Sequence, residues 1–180
     1  MMKKVLIIVA AIVAVILMVV FMVQSAQNGA INREEQIATA QSDINVQEKR
    51  RADLIPNLVD CVKQYDKHEY NTLVGVIEAR GTNTDASVNE VKTMIAAVAE
   101  QYPQLQSNTN YKQLMNELSV TENLIAEYRS NFNKQVKEYN RYVRKFPTRF
   151  FLSMTSYETI EYEYLNYDVS PDAPTNLFGD

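Results

Sequence analysis

An all-α chain is predicted, with a bundle of about four helices behind one N-terminal transmembrane helix. Three observations predict it. Residues 5–23, VLIIVAAIVAVILMVVFMV, form an unbroken apolar run of 19 residues. Beyond that run, apolar residues recur at intervals of three, four and seven, the spacing of one helix face. Finally, only 4 Gly and 5 Pro in 180 residues leave few breakers, so long helices are allowed.

The span comes first in the chain. At about 1.5 Å per residue the run makes roughly 28 Å of helix, close to the roughly 30 Å hydrocarbon core of a bilayer. A cleaved signal has a shorter apolar region, about 7 to 15 residues, followed by small residues at the cleavage site. Here VQS and QSA match such a site only weakly, and no Cys follows closely enough for a lipoprotein. The run is therefore read as a retained single-pass anchor in the cell membrane. Lys3 and Lys4 precede it, while Arg33 is the only base in the twenty residues after it. The positive-inside rule then puts the N-terminus in the cytoplasm and the C-terminal domain outside.

From Ala30 to Leu54 the chain is polar and helix-favouring, with a sparse stripe of Ile31, Ile37, Ile44 and Val46. Pro56 lacks an amide hydrogen and is tolerated in the first turn of a helix, so ADLIP reads as a joint between two helices. The second helix carries Leu58, Cys61, Val62, Tyr65, Leu73, Val76 and Ile77, spaced by threes and fours except for a gap of eight across His68. Gly81 caps its end near Arg80. GTNTDAS is a loop by composition. Ser87, three residues before Glu90, suggests a capping box opening a helix with Val88, Val91, Ile95, Val98 and Tyr102 on one face, ended by Pro103.

The last helix is the clearest. Tyr111, Leu114, Leu118, Ile125, Phe132, Val136, Tyr139 and Val143 follow the helical period before Phe146 and Pro147. So long a stripe is buried only against other helices, hence the bundle. In ETIEYEYLNYD, Ile160, Tyr162 and Tyr164 alternate with Glu161 and Glu163, which suggests a short edge strand or an extended segment laid against the bundle. The expected domains are the anchor, 1–29, the bundle, 30–147, and an acidic, Tyr-rich tail, 148–180.

Charge and composition narrow the function. The net charge is −4, and the tail from Thr148 sets one Arg against six acids. With no concentrated basic face to neutralise phosphates, a nucleic-acid partner is disfavoured. The single Cys61 permits neither an intrachain disulfide nor a multi-cysteine metal site, and its apolar neighbours make it a small buried hydrophobe. His68 is followed by Glu69, but the second His of a helical zinc motif is replaced by Thr72. As the sole histidine, it also leaves a Ser or Cys nucleophile without the usual base. No Gly-rich phosphate loop is present. No catalytic residue, metal or cofactor is expected.

One polar constellation stands out. Glu122, Arg129, Asn133 and Asn140 are separated by seven, four and seven residues. At about 100° per residue they fall within roughly 40° of one another, at the margin of the apolar stripe. Polar groups there are partly buried and need partners. Arg50, Arg51, Asn57 and Arg80 from other helices are candidates, as is Glu117 from the same one. The ladder is either a buried network that fixes helix register or a groove for a ligand or partner. Of the adjacent Arg50 and Arg51, about 100° apart on a helix, one can face solvent while the other reaches the ladder.

At these residues the sequence resembles the LemA family. DINVQEKRRADLIPNLVDCVKQYDKHE is followed in family order by AEQYPQLQSNTNYKQLMNELSVTENLIAEYRSNFNKQVKEYNRYVRKFPT, after an N-terminal span. The resemblance covers about residues 30–155. It implies a bacterial membrane-anchored protein with an elongated antiparallel four-helix bundle and no established biochemical activity. By position, the shared polar residues are Arg50, Arg51, Asp53, Asn57, Glu117, Glu122, Asn123, Arg129, Asn133 and Asn140, none with an implied catalytic role. The expected function is a non-catalytic scaffold or protein-interaction module of the cell envelope, with the lipid bilayer and an unknown protein as partners. The alternative is a small-molecule or peptide-binding domain using the ladder, whereas an enzyme would need a convergent site that the sequence does not display.

Overall fold

The computed structural model of the chain describes residues 2–81 and 84–166. They form six helices, α1 (Met2–Lys63), α2 (Lys67–Arg80), α3 (Asp85–Gln101), α4 (Pro103–Ser107), α5 (Thr109–Arg144) and α6 (Thr148–Met154). Among the described residues every regular element is a helix and there is no strand, in keeping with the all-α class predicted. It divides into two units, one of Glu35–Asn131 and one that joins Met1–Glu34 to Phe132–Asp180.

The first helix corrects the expected joint. Pro56 lies inside α1, which continues to Lys63. A proline in a helix interior costs about 3 kcal/mol or more through its missing hydrogen bond and ring clash. Leu54, Ile55, Leu58, Val59 and Val62, on both sides of it, are buried in one core. Each such side chain gains roughly 1.5–3 kcal/mol on burial, and together they carry the helix through the proline. The actual break falls at residues 64–66, where the gap of eight across His68 begins. There Asp66 caps α2, its carboxylate accepting the amide hydrogens of His68 and Glu69 at 2.8 and 3.1 Å.

Gly81 ends α2 as expected, with φ at 71° and its N–H donating to the Ile77 carbonyl at 2.8 Å. That backbone angle strains any residue bearing a Cβ. The start of α3 lies earlier than predicted. Thr84 is the cap, its hydroxyl accepting from the Ser87 amide, so Asp85, Ala86 and Ser87 belong to the helix rather than to a loop. Thr82 and Asn83 of the expected loop lie outside the described residues. Pro103 follows the end of α3 and opens the short α4. The 36 residues of α5 match the long helix that the periodicity predicts.

In the Glu35–Asn131 unit, one core draws on α1, α2, α3, α4 and α5, including Leu58, Leu73, Ile95, Leu105 and Leu118. Cys61 is half-buried at its edge, and burial, reinforced by Asp60, pushes its thiol pKa up. In the other unit Ala26, Ala30, Phe132, Val136, Tyr139, Val143 and Leu152 are buried. Along α1 the side chains of residues 5–22 are exposed, and Ala26 is the first buried one. The exposed stretch is long and apolar enough to cross a membrane. The expected tail begins with α6, and beyond it the chain forms no strand through residue 166 but is laid along α5 at Ile160, Tyr162 and Leu165, while Tyr167 and Asp168 lie outside the described residues.

Candidate functional site

In the Glu35–Asn131 unit, the first residue of α3 gathers two arginines. Asp85 accepts from Arg51 Nη1 at 2.6 Å and from Arg129 Nη1 at 2.8 Å. Arg129 also donates through Nη2 to Glu48 at 2.7 Å, so it bridges α1 and α3 from α5. Arg51 is buried, its side chain 5 % exposed, while that of Asp85 is half-exposed. The Arg129 hydrogen bond, seconded by Arg51, outweighs desolvation and holds the Asp85 carboxyl below its ordinary range. Asp85 also sits in a helix first turn, where a negative charge is stabilised by the unpaired amides.

The neighbouring residues separate from that cluster. Arg50 is exposed and approaches Glu117 at 3.7 Å. Of the adjacent arginines, Arg51 therefore reaches a ladder residue's partner while Arg50 faces solvent. Glu122 pairs with Lys92 at 2.5 Å. Arg80 pairs with Glu90, and the Asn57 amide donates to the Asp53 carbonyl one turn back. Arg50, Asn57 and Arg80 thus make contacts away from the four ladder side chains.

Asn133 and Asn140 belong to the other unit and do different work. The Asn133 side chain donates to the Leu165 carbonyl at 3.0 Å and accepts the Leu165 amide hydrogen at 2.8 Å. Asn140 donates to the Tyr162 carbonyl at 3.3 Å. Seven residues of helix and three residues of extended chain both span roughly 10 Å, so the ladder spacing matches the tail backbone. Tyr139 accepts the Ile160 amide hydrogen at 3.0 Å and donates to Glu34 at 2.8 Å. Tyr157 donates to the same Glu34 oxygen at 3.0 Å. Burial first, and Glu34 second, raise both phenols, pushing Tyr157 up to about 12.

Beside this clamp lies a groove of about 540 Å³. Asn140, Val143 and Leu152 line it, with Arg144 and Arg149 as its bases and Glu161 as its acid. Nearby, the Tyr142 hydroxyl donates to the Ser25 and Ala26 carbonyls at 3.4 and 3.3 Å. The Arg33 guanidinium lies 3.9 Å from the centroid of the Tyr142 ring. Gly29 makes this approach possible, because a Cβ there would overlap the Tyr142 hydroxyl.

The model of the LemA family matches residues 40–175. The chain belongs to the LemA family. Over 68 residues this LemA-family chain is 35% identical to magnetosome protein MamQ of Magnetospirillum gryphiswaldense, a stretch covering 38% of the chain and 25% of that protein. The same figures hold for magnetosome protein MamQ 2 of Paramagnetospirillum magneticum. Protein LemA of Metamycoplasma hominis is 26% identical over 140 residues, covering 71% of the chain and 64% of that protein. The chain thus spans about a quarter of the length of the MamQ relatives it matches.

Within the LemA-matched region, sequence reasoning missed Asp85, Glu48 and Lys92, which complete the ion pairs, and Tyr139 as a polar anchor for the tail. Asp85 had a readable signal, since an acid directly after a Thr cap sits in a helix first turn. Tyr139 falls on the apolar stripe, but a buried phenol needs a partner for its hydroxyl, and that need is its signal.

Proposed function

We propose that this LemA-family protein is a membrane-anchored scaffold or protein-interaction module of the bacterial cell envelope that carries out no catalysis. Residues 1–29 form the anchor, with the N-terminus in the cytoplasm, 30–147 an elongated antiparallel four-helix bundle outside, and 148–180 the tail. The observation that carries this reading is that the ladder's polar groups are taken up internally: Glu122 by Lys92, Arg129 by Glu48 and Asp85, Asn133 and Asn140 by the tail backbone. A network used up in this way supports register and rigidity rather than an open site. The titration shifts of Asp85, Tyr139 and Tyr157 likewise follow from burial and these pairings, without a nucleophile–base pair.

Crosslinking in intact cells followed by mass spectrometry tests the interaction role. A reproducible set of envelope proteins joined through exposed bundle residues is the expected result, and crosslinks only to random neighbours in proportion to their abundance would count against it. Protease added to spheroplasts should cut the C-terminal domain without lysis, and protection until lysis would reverse the orientation.

A second reading, a small-molecule or peptide-binding domain, draws on one observation, the presence of ladder residue Asn140 in the groove with Arg144 and Arg149. A melting shift on adding metabolite or peptide pools, lost in Asn140→Leu, would favour it. No shift with any pool would remove it.

A further inference from the structure

The turn between α5 and α6 has a composition unlike the rest of the C-terminal part. Between Glu138 and Glu158 the chain holds Arg141, Arg144, Lys145 and Arg149 and no acid. On the same corner Phe146 is 85% exposed, Phe150 54% and Met154 55%. Large apolar side chains interleaved with bases on a surface suit a boundary between water and an anionic apolar phase.

Hydrogen bonds place this corner along α1. Tyr139 reaches Glu34, whereas Tyr142 reaches Ser25 and Ala26, so α5 runs antiparallel to α1 within this unit. Thr155, just after α6, accepts from the Gln27 side chain at 2.9 Å. Ser25 to Gln27 lie two to four residues beyond Val23, the end of the apolar run, or about 3–6 Å along the helix. Lys145 and Phe146 are about one further helical turn toward the run. The polar layer of a bilayer is roughly 5–7 Å deep on each side of its hydrocarbon core. The corner therefore coincides with that layer when α1 crosses the membrane.

We propose that residues 141–155 sit in the lipid headgroup layer, with Phe146, Phe150 and Met154 immersed and Arg144, Lys145 and Arg149 held by the phosphates of anionic lipids. The inference rests on reading α1 as a membrane span. The free energies add and the factors multiply: each base near an anionic surface raises the docked-to-undocked ratio about fivefold. The groove beside Arg144 and Arg149, with Val143 and Leu152 in its lining, offers room for a headgroup with apolar wall behind it.

The chain has no Trp, so single introduced tryptophans report depth without background. Full-length Leu17→Trp, Phe150→Trp and Tyr164→Trp are reconstituted in vesicles of phosphatidylcholine, with or without phosphatidylglycerol, and quenched by lipids brominated at known depths. The expected pattern is deep quenching for Leu17→Trp in both vesicles and shallow quenching for Phe150→Trp, stronger with phosphatidylglycerol. Tyr164→Trp, next to the residue held by Asn133, should escape. Adding Arg144→Gln, Lys145→Gln and Arg149→Gln to the Phe150→Trp chain should lower the docked-to-undocked ratio about 100-fold, with unchanged helical circular dichroism. Quenching of Leu17→Trp without any at Phe150→Trp overturns the headgroup proposal while leaving the anchor intact. Equal quenching of Phe150→Trp with and without phosphatidylglycerol overturns the role of the bases, and an unquenched Leu17→Trp defeats the span itself.

Discussion

Asp85→Ala removes the carboxylate that pairs with the buried Arg51 and leaves that guanidinium with no hydrogen-bond partner among the described residues. Removing one member of a buried pair typically costs about 3–5 kcal/mol, because the other charge stays desolvated. Here the Asp85 side chain is 50% exposed, so water already screens part of the interaction and the expected loss falls to about 2–3 kcal/mol. Arg129 is less affected because Glu48 still holds it. Arg51→Met should cost less than Asp85→Ala, since it removes the buried charge along with the pairing. The double variant should recover about 1–2 kcal/mol relative to additivity. Urea unfolding of the full-length chain in micelles, followed by far-ultraviolet circular dichroism, measures all three. An Asp85→Ala loss below about 0.5 kcal/mol, with an additive double variant, would refute the claim that the ion pairs lock the helices.

Three further outcomes follow from the same contacts. Because Arg129 and Arg51 depress the Asp85 pKa, its stabilisation is present above the ordinary carboxylate pKa of about 3.9 and disappears as pH falls through the depressed value, so an acid titration of unfolding should be shallower in Asp85→Ala than in the native chain. The raised pKa of Tyr157 works in the opposite direction: its contribution is full below the unfolded phenol pKa of about 10 and fades as pH rises to about 12, an alkaline loss that Tyr157→Phe should reduce in melting curves. Gly29→Ala should lower stability by about 1–3 kcal/mol through overlap with the Tyr142 hydroxyl, and Tyr142→Phe should partly restore it in a thermal melt.

Period and composition made the long elements readable. The α5 stripe is regular for 36 residues, so no local signal competes with it. The boundaries were less legible because local signals competed with one another and with packing. Pro56 has a strong local signature for a break, yet the core residues around it outweigh the local cost. Asp66 with Glu69 three residues on carries a capping pattern, whereas Thr84 has only Ser87 at that spacing and competes with Ser87 itself for the cap. The Glu122–Asn140 ladder was visible as a helical face, but periodicity on one helix cannot say what lies opposite each rung. Glu122 and Arg129 meet charged side chains, while Asn133 and Asn140 meet a backbone. The short α6 has too few residues for a periodic signal, and in the tail an extended chain alternates side chains whether or not it joins a sheet.

Four hydrogen bonds hold the tail on α5 through the tail's main chain, at the Ile160 amide, the Tyr162 carbonyl and both polar groups of Leu165. Such contacts are blind to side-chain identity but strict about count. Replacing Glu163 or Tyr164 with almost any residue should leave the segment seated, whereas inserting a single residue between Tyr162 and Leu165 should unseat one end or the other. Between Tyr162, whose ring meets that of Tyr139 edge-on at 5.2 Å, and Leu165, what the chain must preserve is its length rather than its spelling, which makes Glu163 and Tyr164 suitable places to attach a label without disturbing the helix beneath.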